Sequence, residues 1–164
     1  MSALPLPFQD TPAPRTTIYS RLLGDLHIDE RSLMTFTHGL LGMPLYQRFA
    51  LLRGDDETYW LQSADDRSLA LMLVDPFHYF PAYELELGLE TTSALDIRTP
   101  ADALVLAVVT LDGPGHGTAN LRGPLVFNLA SRRAMQVVIS APAEIRAPFA
   151  IPYVSASSHR TPAR

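Results

Sequence analysis

The stretch Leu104-Val105-Leu106-Ala107-Val108-Val109 decides the fold class of this chain, because it is apolar at odd and even positions alike. An earlier stretch, Leu69-Ala70-Leu71-Met72-Leu73-Val74, has the same property. Successive side chains of a β-strand point to opposite faces, so a strand that is apolar on both faces must be covered on both. The two stretches therefore predict central strands or the wall of a barrel.

Shorter apolar or alternating stretches, separated by turn residues, surround these two and predict further strands. These lie at residues 17–22, 26–28, 33–36, 49–52, 59–62, 83–87, 124–128 and 134–140. About nine or ten short strands predict an all-β fold, a small antiparallel β-barrel that is closed or partly open. One or two short helical turns are expected, at residues 90–95 and near residues 29–32. The predicted core comprises Phe36, Leu73, Leu106, Val108, Val126 and Val138.

Both ends of the chain differ in composition from its middle. Prolines at positions 5, 7, 12 and 14 predict a disordered arm over residues 1–15. The polar, proline-containing end predicts a disordered tail over residues 152–164. The barrel domain is therefore expected to span residues 16–151, a normal size for one domain.

The overall composition excludes several classes of protein. The 164 residues include no cysteine, which excludes disulfides and thiolate chemistry, and all 13 basic residues are arginines. No apolar stretch reaches the roughly 20 residues that cross a membrane, and the first residues do not resemble a secretory signal. We therefore expect a cytoplasmic protein with no membrane partner.

Acidic residues are concentrated in the middle of the chain. Residues 54–102 contain eleven acidic residues and two arginines. Such a segment disfavours direct binding of nucleic acid, whose affinity depends on cationic side chains at the phosphates. It favours a basic protein partner, although the acids could equally serve to solvate loops and strand edges.

The chain lacks a recognisable catalytic arrangement. The glycine-rich loop at residues 113–117 precedes a predicted strand rather than a helix, so it does not match a phosphate-binding loop. The alternative to a binding protein is a small ligand-binding or hydrolytic barrel that uses Asp75, His78, Asp112 and His116. That site requires the four side chains to lie within about 3–4 Å of a common point. We expect no enzyme activity, metal or cofactor.

The candidate partner-binding surface combines two segments, the loop at residues 62–66 and the aromatic segment at residues 75–83. Neighbouring aromatic side chains of an extended segment point to opposite sides, so not all of them can enter one core. Exposed aromatic residues are common anchors at protein interfaces, although the segment could instead plug one end of the barrel. The candidate residues are Gln62, Ser63, Asp65, Asp66, Asp75, Phe77, Tyr79, Phe80 and Tyr83.

Three blocks of sequence carry a family resemblance. They are Phe36-Thr37-His38-Gly39-Leu40-Leu41-Gly42-Met43, then Trp60-Leu61-Gln62-Ser63 running to Asp75-Pro76, then Thr118-Ala119-Asn120-Leu121-Arg122-Gly123-Pro124-Leu125-Val126-Phe127-Asn128 followed by Gln136-Val137-Val138. In this order and spacing they resemble the flagellar assembly factor FliW family. We interpret the motif residues Gly39, Gly42, Asn120, Pro124, Asn128 and Gln136 as structural.

The resemblance implies a non-enzymatic function. Proteins of this family bind flagellin in the cytoplasm and also bind the translational regulator CsrA. When flagellin is exported, the freed factor captures CsrA at a surface away from its RNA site, and CsrA releases flagellin mRNA. A third hypothesis is an interaction domain in a cell that makes no flagellin.

Overall fold

The computed structural model describes residues 14–140 and 142–150, together with the backbone of Thr161–Pro162. The strands are β1 (Arg15–Ser20), β2 (Gly24–Asp29), β3 (Met34–Phe36), β4 (Arg48–Arg53), β5 (Thr58–Ser63), β6 (Ala70–Val74), β7 (Leu104–Gly113), β8 (His116–Ala119), β9 (Leu125–Asn128), β10 (Arg133–Gln136), β11 (Ala147–Ala150) and β12 (Thr161–Pro162). The helices are α1 (Pro76–Tyr79) and α2 (Leu89–Ala94), and 3₁₀ turns occur at Glu30–Ser32 and Pro100–Asp102.

Seven strands close into a ring. The pairing runs β7-β6-β5-β4-β3-β10-β9, and β9 returns to β7 through residues 104–106. β8 continues from the far half of β7, and β11 pairs with β8. The predicted all-β barrel is therefore confirmed. One pair differs from the antiparallel prediction: β3 and β10 are parallel, because the chain passes around the ring before the β9–β10 hairpin returns it beside β3.

The interior of the ring is filled by one face of each strand. Phe36 stacks edge-on against Phe49 and Phe127, with ring centroids 5.3 and 5.5 Å apart, and Leu73 and Leu106 are fully buried in the same cluster. Edge-on contacts of this kind add to the free energy of burial. The barrel core is therefore dense and aromatic.

The outer faces of the same strands are also covered. The β1–β2 hairpin covers β4 at Ala50, and Leu95, just after α2, packs on Val126 of β9. A third outer cluster forms on β6, β7 and β8 around Val74 and Ala107. These outer clusters explain why the two central stretches are apolar at every position. The sequence predicts such strands to be covered on both faces.

Four of the six predicted core residues are fully buried: Phe36, Leu73, Leu106 and Val126. Val108 is partly buried against the same core. The prediction for Val138 is wrong, since its side chain is 63% exposed. The reason is that β10 ends at Gln136, so Val138 lies beyond the strand. The alternation of inward and outward side chains that would place Val138 in the interior stops with the strand.

The helical turns match the predictions in part, and both chain ends contain residues that form strands. The turn at Glu30–Ser32 and helix α2 lie where helical turns are expected, whereas α1 is an additional helix and residues 83–87 form no strand. β1 begins at Arg15, and Thr161–Pro162 of the predicted tail pair with β4. The predictions for residues 1–13, 151–160 and 163–164 lie outside the described residues.

Candidate protein-binding site

The aromatic segment begins with a capped helix. Asp75 directly follows β6 and caps α1: its Oδ1 accepts hydrogen bonds from the backbone N–H groups of Phe77 and His78, at 2.8 and 3.3 Å. Pro76 occupies the first turn, where its missing N–H costs nothing and its fixed φ favours the helix. The cap and the proline together hold Phe77 at the surface, where its side chain is 45% exposed.

The remaining aromatic side chains close over the outer face of the sheet. The rings of Tyr79 and Phe80 pack against Phe149 of β11, with centroids 5.5 and 6.2 Å away. The hydroxyl of Tyr83 donates to the backbone carbonyl of Leu121 at 2.9 Å. Burial raises the pKa of Tyr83 above its usual value. The segment therefore covers part of the sheet and leaves Phe77 exposed.

Acidic side chains lie directly beside this segment, on the turn between β4 and β5. The hydroxyl of Tyr79 donates to the carbonyl of Asp56, and the N–H of Asp75 donates to the carbonyl of Glu57 at 3.0 Å. Burial, followed by the charges of Asp56 and Glu57, raises the pKa of Tyr79. Asp55 and Asp56 are exposed. We call Asp55, Asp56, Asp75, Phe77 and Tyr79 the acidic–aromatic face.

The other predicted segment, the loop at residues 62–66, lies at the opposite end of the barrel. β5 pairs with β6 from Thr58 opposite Val74 to Gln62 opposite Ala70, so the two segments leave the hairpin at ends about 14 Å apart. The structure therefore does not bring the two predicted segments together into one surface.

Gln62 and Ser63 are fully buried, which corrects the prediction that their side chains contact a partner. The Gln62 amide donates to the carbonyls of Ser63 and Asp66, both at 3.0 Å. The Ser63 hydroxyl accepts from the N–H groups of Asp65 and Asp66, at 3.1 and 3.0 Å. Sequence reasoning missed this role, because a buried glutamine that shapes a loop has the same sequence pattern as an exposed one.

The two carboxylates of this loop already have partners. Asp65 forms a 2.7 Å ion pair with Arg48, and Asp66 accepts a 3.1 Å hydrogen bond from the hydroxyl of Tyr46. The hydrogen bond and the charge of Asp66 raise the pKa of Tyr46. This loop therefore offers a basic partner less free negative charge than the acidic–aromatic face does.

Several motif residues meet at this same end of the barrel. The Gln136 side chain accepts from the N–H of Leu41 at 2.9 Å and donates to the carbonyl of Gly123 at 3.0 Å. Asn120 accepts from the N–H of Gly123 at 3.0 Å, which closes the turn before the buried Pro124. Together these bonds tie the β3–β4 loop to the turn that precedes β9.

Three other motif residues also have structural contacts. Gly39 and Gly42 both have positive φ, and a Cβ on Gly39 would stand 2.5 Å from the carbonyl oxygen of Pro44. The Asn128 amide donates to the carbonyls of Leu95 and Asp96, at 2.9 and 3.1 Å, and so fastens the end of α2 to β9. These contacts shape the backbone, and none of the three offers a group for chemistry.

The alternative site at Asp75, His78, Asp112 and His116 does not form. Asp75 caps α1, the His78 ring packs on Tyr79 with centroids 4.9 Å apart, and Asp112 and His116 are exposed on the β7–β8 hairpin. Across residues 14–140 and 142–150, no three His, Cys, Asp or Glu side chains are grouped to hold a metal ion. The same part of the chain contains no helix long and apolar enough to cross a membrane.

Comparison with known proteins gives consistent matches. The family model described as FliW protein matches residues 17–149. The chain is 39% identical to the flagellar assembly factor FliW of Treponema pallidum over 124 residues, which cover 74% of this chain and 83% of that protein. It is 34% identical to the protein of the same name from Treponema denticola, over 75% of this chain and 85% of that protein. A crystal structure of the flagellar assembly factor FliW matches with a TM-score of 0.73 and 30% identity, over 80% of this chain and 94% of that one.

Proposed function

The chain belongs to the FliW family of flagellar assembly factors, and we propose that it acts without enzyme activity, in the cytoplasm, by binding flagellin and by antagonising CsrA. The observation that carries this proposal is the family match over residues 17–149, which includes all seven strands of the ring. The crystal structure of a relative matches the same architecture. Antagonism is allosteric in this proposal: the protein binds CsrA away from the RNA site, and CsrA then releases flagellin mRNA.

The acidic–aromatic face is the surface that we assign to CsrA. An RNA-binding protein carries an excess of cationic side chains, and their combined field is attracted by an acidic surface over a distance, even where the contact lies away from the RNA site. Asp55 and Asp56 supply exposed carboxylates, and Phe77 supplies an exposed aromatic ring beside them. Charge of this kind mainly accelerates association, whereas a buried aromatic anchor mainly slows dissociation.

An acidic face also argues against direct contact with the mRNA. Asp55 and Asp56 would repel phosphate groups, and nucleic-acid affinity depends on cationic side chains that displace counterions from the phosphates. The effect on translation therefore passes through CsrA, a protein partner, in this proposal.

The test is the binding of purified CsrA to the immobilised protein at two salt concentrations. We expect Asp55→Arg to slow association several-fold and to weaken its salt dependence, because steering charges act on the association rate. Asp65→Arg, at the opposite end of the barrel, is the control with the same change of charge. Both variants must keep the wild-type melting profile. Equal association rates for all three proteins would remove the acidic–aromatic face from the proposal.

A parallel measurement with the flagellin of the same cell tests the other partner. Wild-type protein is expected to form a stable complex with unassembled flagellin. If it binds neither flagellin nor CsrA while fully folded, the proposed function is wrong for this chain.

A further inference from the structure

A groove of about 430 Å³ lies beside the acidic–aromatic face. Its apolar lining comes mainly from Phe80 and Tyr83 on one side and Ile139 and Ala143 on the other, with Leu121 between them. Its volume falls within the roughly 300–1,000 Å³ range of sites that bind small ligands. Mostly apolar walls suit an apolar side chain rather than a charged one.

Hydrogen bonds hold the walls of the groove in place. Tyr83 donates to the carbonyl of Leu121, and the N–H of Leu121 donates to the carbonyl of Glu144, both at 2.9 Å. The N–H of Ile139 donates to the carbonyl of Arg122, also at 2.9 Å. The groove is therefore formed before a partner arrives, which lowers the entropy cost of binding.

Two carboxylates belong to the lining. Glu84 and Glu144 are both exposed, and neither joins an ion pair within residues 14–140 and 142–150. A free carboxylate beside an apolar groove favours a segment in which an arginine or lysine accompanies the apolar residue. The charge of the groove therefore matches that of the acidic–aromatic face.

The groove is continuous with that face. Phe77 of the face and Tyr83 of the groove are in ring contact, with centroids 5.4 Å apart. One partner can therefore cover both, with basic side chains outside its RNA site over Asp55 and Asp56 and an apolar side chain in the groove.

We propose that the groove receives an apolar side chain of CsrA that is flanked by a basic residue, with Glu84 and Glu144 binding the basic group. This inference rests on the proposed function and adds the anchoring contact to it. The steering charges of the face set the association rate, and the groove sets the dissociation rate.

The test measures the dissociation of CsrA from three variants. Ala143→Trp fills the groove and is expected to accelerate dissociation by about tenfold, because anchor contacts act on the dissociation rate. Ala101→Trp, at an exposed alanine in the turn Pro100–Asp102, is the matched control and should bind as wild type does. Glu84→Gln combined with Glu144→Gln keeps the shape and should accelerate dissociation by about fivefold, because each loses its charge pair with the basic group of the partner.

The outcomes separate the groove from the proposed function. If folded Ala143→Trp and the double glutamine variant both release CsrA at the wild-type rate while Asp55→Arg still slows association, the groove is not the anchor and the proposed function stands. If Ala143→Trp fails to fold, the rate at which CsrA dissociates from the double glutamine variant tests the groove by itself. If wild-type protein does not bind CsrA, both proposals are wrong.

Discussion

At the scale of single residues, the polar side chains of the sequence motifs contact backbone groups. Gln136 joins the N–H of Leu41 to the carbonyl of Gly123, two groups far apart in the chain. The sequence predicts that Gln136 is structural from its place in an apolar strand, but it does not identify the partners. Those depend on the β3–β4 loop folding over the end of the barrel, which no local pattern encodes.

Gln136→Ala tests this contact. We expect it to lower the free energy of unfolding by about 1–3 kcal/mol, because a partly buried carbonyl and an N–H lose their partner. Gln47→Ala is the control: Gln47 is exposed and makes one side-chain hydrogen bond, to the carbonyl of Thr37, so its loss should cost less than about 0.5 kcal/mol. Urea unfolding monitored by the fluorescence of Trp60 measures both. Equal losses in the two variants would show that Gln136 does not hold the loops together.

At the scale of secondary-structure elements, hydrophobic patterns predict the strands well and the connections poorly. Residues 104–109 are apolar throughout because the barrel covers one face and outer side chains cover the other. Helix α1 has only four residues and depends on its Asp75 cap. It is too short to produce a helical periodicity of apolar residues, so the sequence does not predict it. Val138 continues the alternation of β10 after the strand has ended, which makes an exposed valine resemble a core residue.

A pair of truncations tests the strand assignment. Leu106→Ala is expected to destabilise the protein by about 2–5 kcal/mol, through lost burial and the cavity left in the barrel. Val138→Ala should change the stability by less than about 0.5 kcal/mol, since the valine is already in solvent. Thermal and urea unfolding of both variants give the comparison. A large loss for Val138→Ala would show that the side chain of Val138 is buried in solution.

At the scale of the whole molecule, the barrel separates two kinds of surface. One end carries the β3–β4 and β5–β6 loops, whose carboxylates are paired internally, and the other carries the acidic–aromatic face. The sequence predicts two candidate partner segments but cannot place them, because their separation depends on the β5–β6 pairing register. A partner that is attracted by charge should therefore approach the end of the barrel that carries α1.

The most direct measurement of the central claim is translation in vitro of a reporter that carries the flagellin mRNA leader of the same cell. CsrA is added until the reporter is repressed, and the protein is then titrated in, with a reporter that lacks CsrA sites as the control. We expect translation to recover as the folded protein is titrated in, and repression to return when unassembled flagellin is added. Repression that persists at a large excess of folded protein would contradict the account.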